Sequence, residues 1–566
     1  MFEEFENPEF EKWQAEAERL IGDKYAGLLS ESYKSEGLKL KPLFRQEDNK
    51  NILGIESLPG QSPFLRGAKT PTEKRNEWLI SQESKCPTPE ILNQILKDEI
   101  RHGATSLNIP MDRPSRLGFD PDETDIESVG REGVSLTTLD DSCAALSEID
   151  ISSYPIYLHV GINGLLHLAY LMALAKKNNI PSENVRGAIA SDPIGEWLLQ
   201  GTLPLPIENA FDELAAVTNW VDFQSSDLGT IWIHGEYIRN SGGTVMMELA
   251  YSMAAGVEYL RQMENRDIDI SRVLPHIKFS FGIGSNLFLE VAKLRAVRLL
   301  WDKITDACGI PPDKRKIRIH ATTVDYNKTR LDAYNNVLRL TTESFAGAIG
   351  GADSINVSPY NMYENSSDND SRRLSRNIQL ILKNEIHLDK IIDPGGGSYF
   401  IEHLTNNIAR IVWEKFREIE KQGGLIESLK AGTLQVEIEK IEKKDASDFL
   451  SGKKVSVGVN KYIRSDEEHS EIDQSNSRIE INKRREQIGA LKKSETYEKA
   501  LDALSKNHTK LKTPECVDTL IAVASHGATI GDISKSIRRD LPQSVRITSL
   551  NIHRRSESLE KSGSDS

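Results

Sequence analysis

An alternation restricts this chain more than any other feature. Between Gly103 and Gly423, short β-branched or apolar runs give way repeatedly to longer segments with apolar residues at three- and four-residue steps. The runs are ATSLNI, PIYLHVG, VRGAIAS, TIWIHGE, IKFSFGI, KIRIHAT, DSINVSP and KIID, and each precedes a segment of helical pattern. Parallel strands need a crossover of helical length, so the order strand, helix, strand reads as an α/β fold with a parallel sheet. Eight such units are what a closed (β/α)₈ TIM barrel requires. The expected organisation is an N-terminal extension over 1–100, a barrel over 101–425 and a C-terminal helical and linker region over 426–566.

The segment SNLFLEVAKLRAVRLLWDKI carries Leu287, Val291, Leu294, Val297 and Trp301 on one helical stripe, with Ser285 as the expected N-cap. GLLHLAYLMALAKK has apolar residues all round, as a helix covered on several sides must. The first hundred residues begin with an acidic amphipathic helix and continue into a Pro- and Gly-containing stretch, LKPLFRQEDN to ESLPGQSPFLRG, expected to wrap the barrel or a partner. After Gly423 come a helical block, a strand-like VSVGVNKYI, and a polar stretch, EEHSEIDQSNSRIEINKRR, that reads as a linker. Two helices then flank a turn at ASHGATIGDI, and a charged, Ser-rich tail from Arg554 is expected to fray.

Composition narrows the function classes. A net charge of −14 with no compensating Lys/Arg stripe disfavours nucleic acid as a partner. The four cysteines, Cys86, Cys143, Cys308 and Cys516, show neither disulfide nor zinc spacing, which fits a reducing cytoplasm and no metal. No run approaches the ~20 apolar residues of a membrane-spanning helix. Dinucleotide, Walker, zinc-protease and serine-hydrolase motifs are all missing.

In a barrel, chemistry belongs at the C-terminal ends of strands, which singles out Asp192, His234, Glu236, Tyr237, His320 and Asp393. Asp192 before Pro193 is equally a helix cap, and His320 is a ligand contact or a structural hydrogen-bonding group. DPGGGSYFIE either cradles a phosphate on its backbone N–H groups or simply turns the chain. Asn460 and Lys461 in VGVNKY bind an anion or close a strand.

Seven segments in order, GREGVSL, GSNLFLEVAKLRAVRLLW, YNNVLRLT, SRRLSRNIQLILKNE, IIDPGGGSYFIEHLT, VGVNKYIR and GATIGDIS, resemble the methylmalonyl-CoA mutase family, and the likeness runs from about Glu9 to about Glu560. The resemblance implies a barrel that threads the pantetheine arm of coenzyme A along its axis. It also implies a separate flavodoxin-like domain that brings adenosylcobalamin to the mouth for the radical isomerisation of methylmalonyl-CoA to succinyl-CoA. Active chains of the family carry a tyrosine shortly after an RPW segment, an arginine beyond the strand matching VRGAIAS, and a Tyr-His pair in GYH after the strand matching TIWIHGE.

This chain departs from each. NEW at 76–78 matches RPW, and Glu83 aligns with the tyrosine. GEYIRNSGG puts Glu236 and Tyr237 at the Tyr-His positions, and ASDPIGEW has no arginine. The axial positions align with His159, Ala188, Ala190 and Lys278, of which Lys278 should need a carboxylate partner or water if buried. His320 matches a substrate-contacting histidine, so His320, His159 and Lys278 are the substrate-side candidates. The DxHxxG motif of the cobalamin domain is not found, and HRRSESLE resembles the approach to that domain in the family's small subunit.

The resemblance therefore implies a small-subunit-like, non-catalytic chain without the cobalamin domain. It would form a heterodimer with a catalytic large subunit that binds the adenosylcobalamin. The alternatives are an active large subunit that borrows cobalamin from a separate protein, and a barrel that binds acyl-CoA without converting it.

Overall fold

The computed structural model describes residues 9–22, 33–50, 52, 54–70, 76–363, 369–464, 475–507, 516–557 and 559–560. Eight parallel strands form one sheet: β1 Leu79–Ile80, β2 Leu107–Pro110, β3 Ile156–Gly161, β4 Gly187–Ser191, β5 Leu228–His234, β6 Ile277–Ile283, β7 Ile319–Thr323 and β8 Ser354–Asn356. The spatial order is β1-β8-β7-β6-β5-β4-β3-β2, each neighbour parallel. The two edges meet through a parallel bridge from Glu83 to Asn108 and a hydrogen bond from Thr105 N to Ile80 O, so the strands curl into a TIM-barrel-like ring. Helices between the strands cover the outside, and the strands bury nearly every residue, as a parallel sheet covered on both faces requires.

Seven of the eight expected strands are present, and one is displaced. KIID is not a strand: Leu388–Lys390 forms a 3₁₀ turn, Ile391 is exposed and Asp393 has φ +47° just before Pro394. The missing member is Leu79–Ile80, inside the segment assigned to the extension, where Leu79 N and Ser81 N donate to Asp353 O and Ile355 O.

The helix Gly164–Lys177 is buried from Gly164 through Ala175, matching its all-round apolar sequence. Helix Leu287–Ala307 starts one residue later than expected: Asn286, not Ser285, is the cap, its Oδ1 accepting from Leu289 N.

The extension is tied to the barrel by polar contacts over 33–70. Glu36 Oε1 lies 3.8 Å from Arg239, Ser62 donates to Asp302 at 2.9 Å, and Arg66 reaches both Asp393 and Glu402 at 3.0 Å. The helix Phe10–Ile21, by contrast, buries none of its residues.

Beyond the barrel, VSVGVNKYI is a turn rather than a strand. Asn460 Oδ1 accepts from Ser456 N while its Nδ2 donates to Phe449 O and Lys454 O, so Asn460 is spent on the chain itself and Lys461 stands exposed. The polar stretch expected as a linker is a helix from Ser475 to Leu491; its earlier part, 467–474, lies outside the described residues. Helix Ile530–Arg538 is capped by a Thr529–Asp532 box after the expected turn.

The tail from Arg554 does not fray through Glu560. Ser556 donates to Lys328 O, Arg554 pairs with Glu560, and Arg330 N donates to Glu560 at 3.0 Å; residues 561–566 lie outside the described set. No helix among the described residues is long and apolar enough to cross a membrane.

Candidate functional site: the barrel axis

Along a strand, side chains alternate between the axis and the helical shell, so every second residue of β3 to β8 points inward. Ala188 and Ala190 of β4 leave space on one side of the axis, and Trp232 of β5 packs into it with Tyr157 of β3. Trp232 is 1% exposed. Its ring meets Tyr157 edge-on at 5.3 Å, His159 edge-on at 5.1 Å and His320 at 5.2 Å, close to the geometries aromatic quadrupoles favour.

Lys278 of β6 enters below this stack. Its Nζ donates to Gly187 O at 2.6 Å and sits 4.7 Å from the centre of the Tyr157 ring. A carbonyl and an aromatic face thus stand beside it, where a carboxylate partner or water was expected. Gly229 makes room for the lysine stem, since a Cβ there would lie 3.1 Å from Lys278 Cε.

The imidazoles in this layer are held neutral. Burial, reinforced by the neighbouring His234, pushes His159 down to about 3, and burial pushes His320 down to about 3. His159 Nε2 lies 2.8 Å from Asn108 Oδ1, and His320 Nδ1 lies 2.7 Å from Ser354 Oγ. His320 was expected at the mouth; as the second residue of β7 it sits deep in the barrel beside Trp232.

Below the stack the axis widens into a cavity of about 500 Å³ that opens at the N-terminal ends of the strands, with Trp232, Lys278 and His320 among its lining. Above the stack the character changes. His234 Nδ1 lies 2.7 Å from Glu236 Oε1, and its ring stacks on Tyr237 at 4.8 Å and 10°. Burial opposes a charge on His234, yet the Glu236 carboxylate raises it above the usual imidazole range.

Arg116 binds Glu196 at 3.1 Å and Glu132 at 2.8 Å across the same end. Glu83, half-buried, pairs with Lys85 at 2.9 Å; although burial works against ionisation, Lys85 holds its carboxyl down at about 2. The ends of β5 and β7 are crossed by the C-terminal segment, where His553 N donates to Asn240 O and Arg555 N to Tyr326 O.

Of the sequence candidates, His159, His320 and Lys278 thus gather around Trp232, while Glu83, Glu236 and Tyr237 gather at the upper end. Asp192 is a cap: its Oδ1 accepts from Gly195 N and from the Tyr259 hydroxyl, and its Oδ2 from His234 N. Asp393 stands apart, on the outside of the barrel between Arg66 and Arg295. Its glycine turn directs Gly396 N to Asp393 O and Gly397 N to Glu402, so those donors are taken by the chain and the turn reading prevails over phosphate binding. Trp232 and Tyr157 were missed. The signal was present, because alternation places Trp232 on the same face as His234.

A sequence profile described as Methylmalonyl-CoA mutase matches residues 33–543. The chain is 28% identical over 508 residues to methylmalonyl-CoA mutase of Escherichia coli (strain K12), covering 89% of this chain and 71% of that protein. It is 29% identical over 542 residues to the methylmalonyl-CoA mutase large subunit of Streptomyces virginiae, covering 93% and 73%. It is 29% identical over 476 residues to the mitochondrial methylmalonyl-CoA mutase of Bos taurus, covering 83% and 63%. With a profile match across most of its length laid over an eight-stranded parallel barrel, the chain belongs to the methylmalonyl-CoA mutase family.

Proposed function

We propose that this chain is a small-subunit-like member of the family, a non-catalytic barrel that supports the isomerisation of methylmalonyl-CoA to succinyl-CoA by a catalytic partner chain. The observation that carries the reading is Trp232. An axis that is to pass a pantetheine arm must be open from end to end, and here four rings and a lysine close it midway. Above that closure, the groups that align with the family's tyrosine and Tyr-His pair are Glu83, Glu236 and Tyr237, already engaged with Lys85 and His234.

The family generally depends on adenosylcobalamin, and the cofactor supplies the radical chemistry. The donors at the upper end do not fit that group: among the described residues there, His234 is bonded to Glu236, and His553 to Glu442 and Asn551 O. The cofactor is therefore assigned to the partner. The helix Phe10–Ile21 supports a partner as well, since Trp13, Leu20 and Ile21 remain exposed on it.

The test is to combine the purified chain with adenosylcobalamin and methylmalonyl-CoA, alone, with a separate cobalamin-binding protein, and with a catalytic mutase chain. The reading predicts succinyl-CoA only in the last case, together with co-elution of the two chains. Turnover with the cobalamin-binding protein alone would make the chain an active large subunit. Failure to co-elute with the catalytic chain would remove the scaffold role.

A further inference from the structure

Lys278 is a buried lysine with an unusual setting. Among the described residues no carboxylate lies within ion-pair distance of it, and its Nζ is held by Gly187 O at the inner end of the 500 Å³ cavity. An ammonium there has given up water for one carbonyl and a ring face, so the neutral amine is comparatively favoured. The charged groups facing it act in opposite directions. Arg318, before β7, opposes its charge, Asp227 and Asp353, before β5 and β8, favour it, and Tyr157, Trp232 and His320 bring no negative charge at neutral pH. Burial dominates and pushes the ammonium down to about 7. A neutral amine in a cavity open to solvent is a nucleophile.

The cavity also selects by charge. Without Lys278, its lining carries Lys69, Arg186, Arg318 and Lys383 against Glu77, Asp227 and Asp353. That is an excess of cations on a protein whose net charge is −14. A small anion is drawn to this opening rather than to the surface around it.

We infer that Lys278 is a covalent modification site for small carbonyl compounds that carry a carboxylate, condensing with them to an imine inside the N-terminal cavity of the barrel. The amine adds to the aldehyde or ketone carbon, the carbonyl oxygen leaves as water after proton transfer, and a C=N bond joins Nζ to the substrate carbon. No oxidant or reductant enters. The site is independent of the subunit assignment, because it needs only the cavity and the lysine.

The test uses glyoxylate with sodium cyanoborohydride on the intact chain, and acetaldehyde as the uncharged comparison, with peptide mass spectrometry to rank the modified lysines. Lys278 is expected to lead exposed lysines such as Lys176 and Lys421 by at least about tenfold at pH 7, its rate half-maximal near pH 7, where burial places the ammonium. Its preference for glyoxylate over acetaldehyde should exceed theirs. Arg318→Gln should slow Lys278 at pH 7 without changing Lys176, while Lys278→Arg should remove the fast site. Modification of Lys278 no faster than of Lys176 overturns the site, and equal preference for the two reagents overturns the carboxylate selectivity.

Discussion

The two ends of the barrel axis are built from different chemistry. Below Trp232 the axis is an open cavity whose inner groups, Lys278 and the imidazole of His320, are pushed toward neutrality by burial. Above it the groups are ionic and paired, with Arg116 between Glu196 and Glu132, Lys85 on Glu83, and His234 on Glu236. The difference teaches that one aromatic residue separates a solvent-facing vestibule from a closed electrostatic lid.

The strongest way to break this comparison is to remove the divider. Trp232→Ala should cost ~3–5 kcal/mol of stability, because the four surrounding side chains cannot collapse into the space of an indole. Chemical denaturation at pH 7 measures it; a cost below about 1 kcal/mol would mean the stack is not packed as described.

Next in size is Arg116→Met, which leaves Glu196 buried beside Glu132 without its cation. A loss of about 3 kcal/mol is expected by the same measurement. The upper end should therefore tolerate loss of a charge little better than the middle tolerates loss of a ring.

The sign of pH dependence sharpens the contrast. His320 titrates at about 3 in the fold and near 6.5 unfolded, so its neutral form stabilises fully above pH ~6.5 and that stability is lost as pH falls toward 3. His320→Asn should flatten the acid limb of stability by up to ~1 kcal/mol per pH unit between pH 6 and 4. His234 behaves oppositely. Raised by Glu236, it contributes fully below its unfolded value and loses that contribution as pH rises through its folded one. Glu236→Gln should accordingly destabilise more at pH 6 than at pH 9, and equal costs at both would deny the pairing.

The smallest effect concerns the strap over the upper end. Glu560→Ala removes acceptors from Arg330 N and Arg554, and should cost about 1 kcal/mol, seen as faster amide exchange at Arg330 without change in global unfolding.

How much of this the amino-acid sequence disclosed differs between shell and axis. The shell was legible because long periodic helices such as Leu287–Ala307 and Gly164–Lys177 repeat the pattern that burial demands over many residues. Leu79–Ile80 was not, since a two-residue strand is defined by its hydrogen bonds to β8 rather than by its own composition. KIID misled for the converse reason: β-branched residues with no neighbouring edge to pair with form a turn. The site was half legible. The resemblance located Glu83, Glu236, Tyr237, His159, Lys278 and His320. Trp232 was passed over because, in a strand buried on both faces, an apolar ring two residues before His234 reads as ordinary core. The docking of Arg554 to Glu560 was hidden for another reason, since a charged tail gives no local sign of the carbonyls and amides it will meet.

Closure of the axis is most directly tested by calorimetric titration of the chain with an S-acyl pantetheine, the part of an acyl-CoA that must traverse the barrel. The structure predicts no saturable heat at millimolar ligand; one-to-one binding in the micromolar range, weakened by substitutions at His159 or His320, would show an open passage and contradict it.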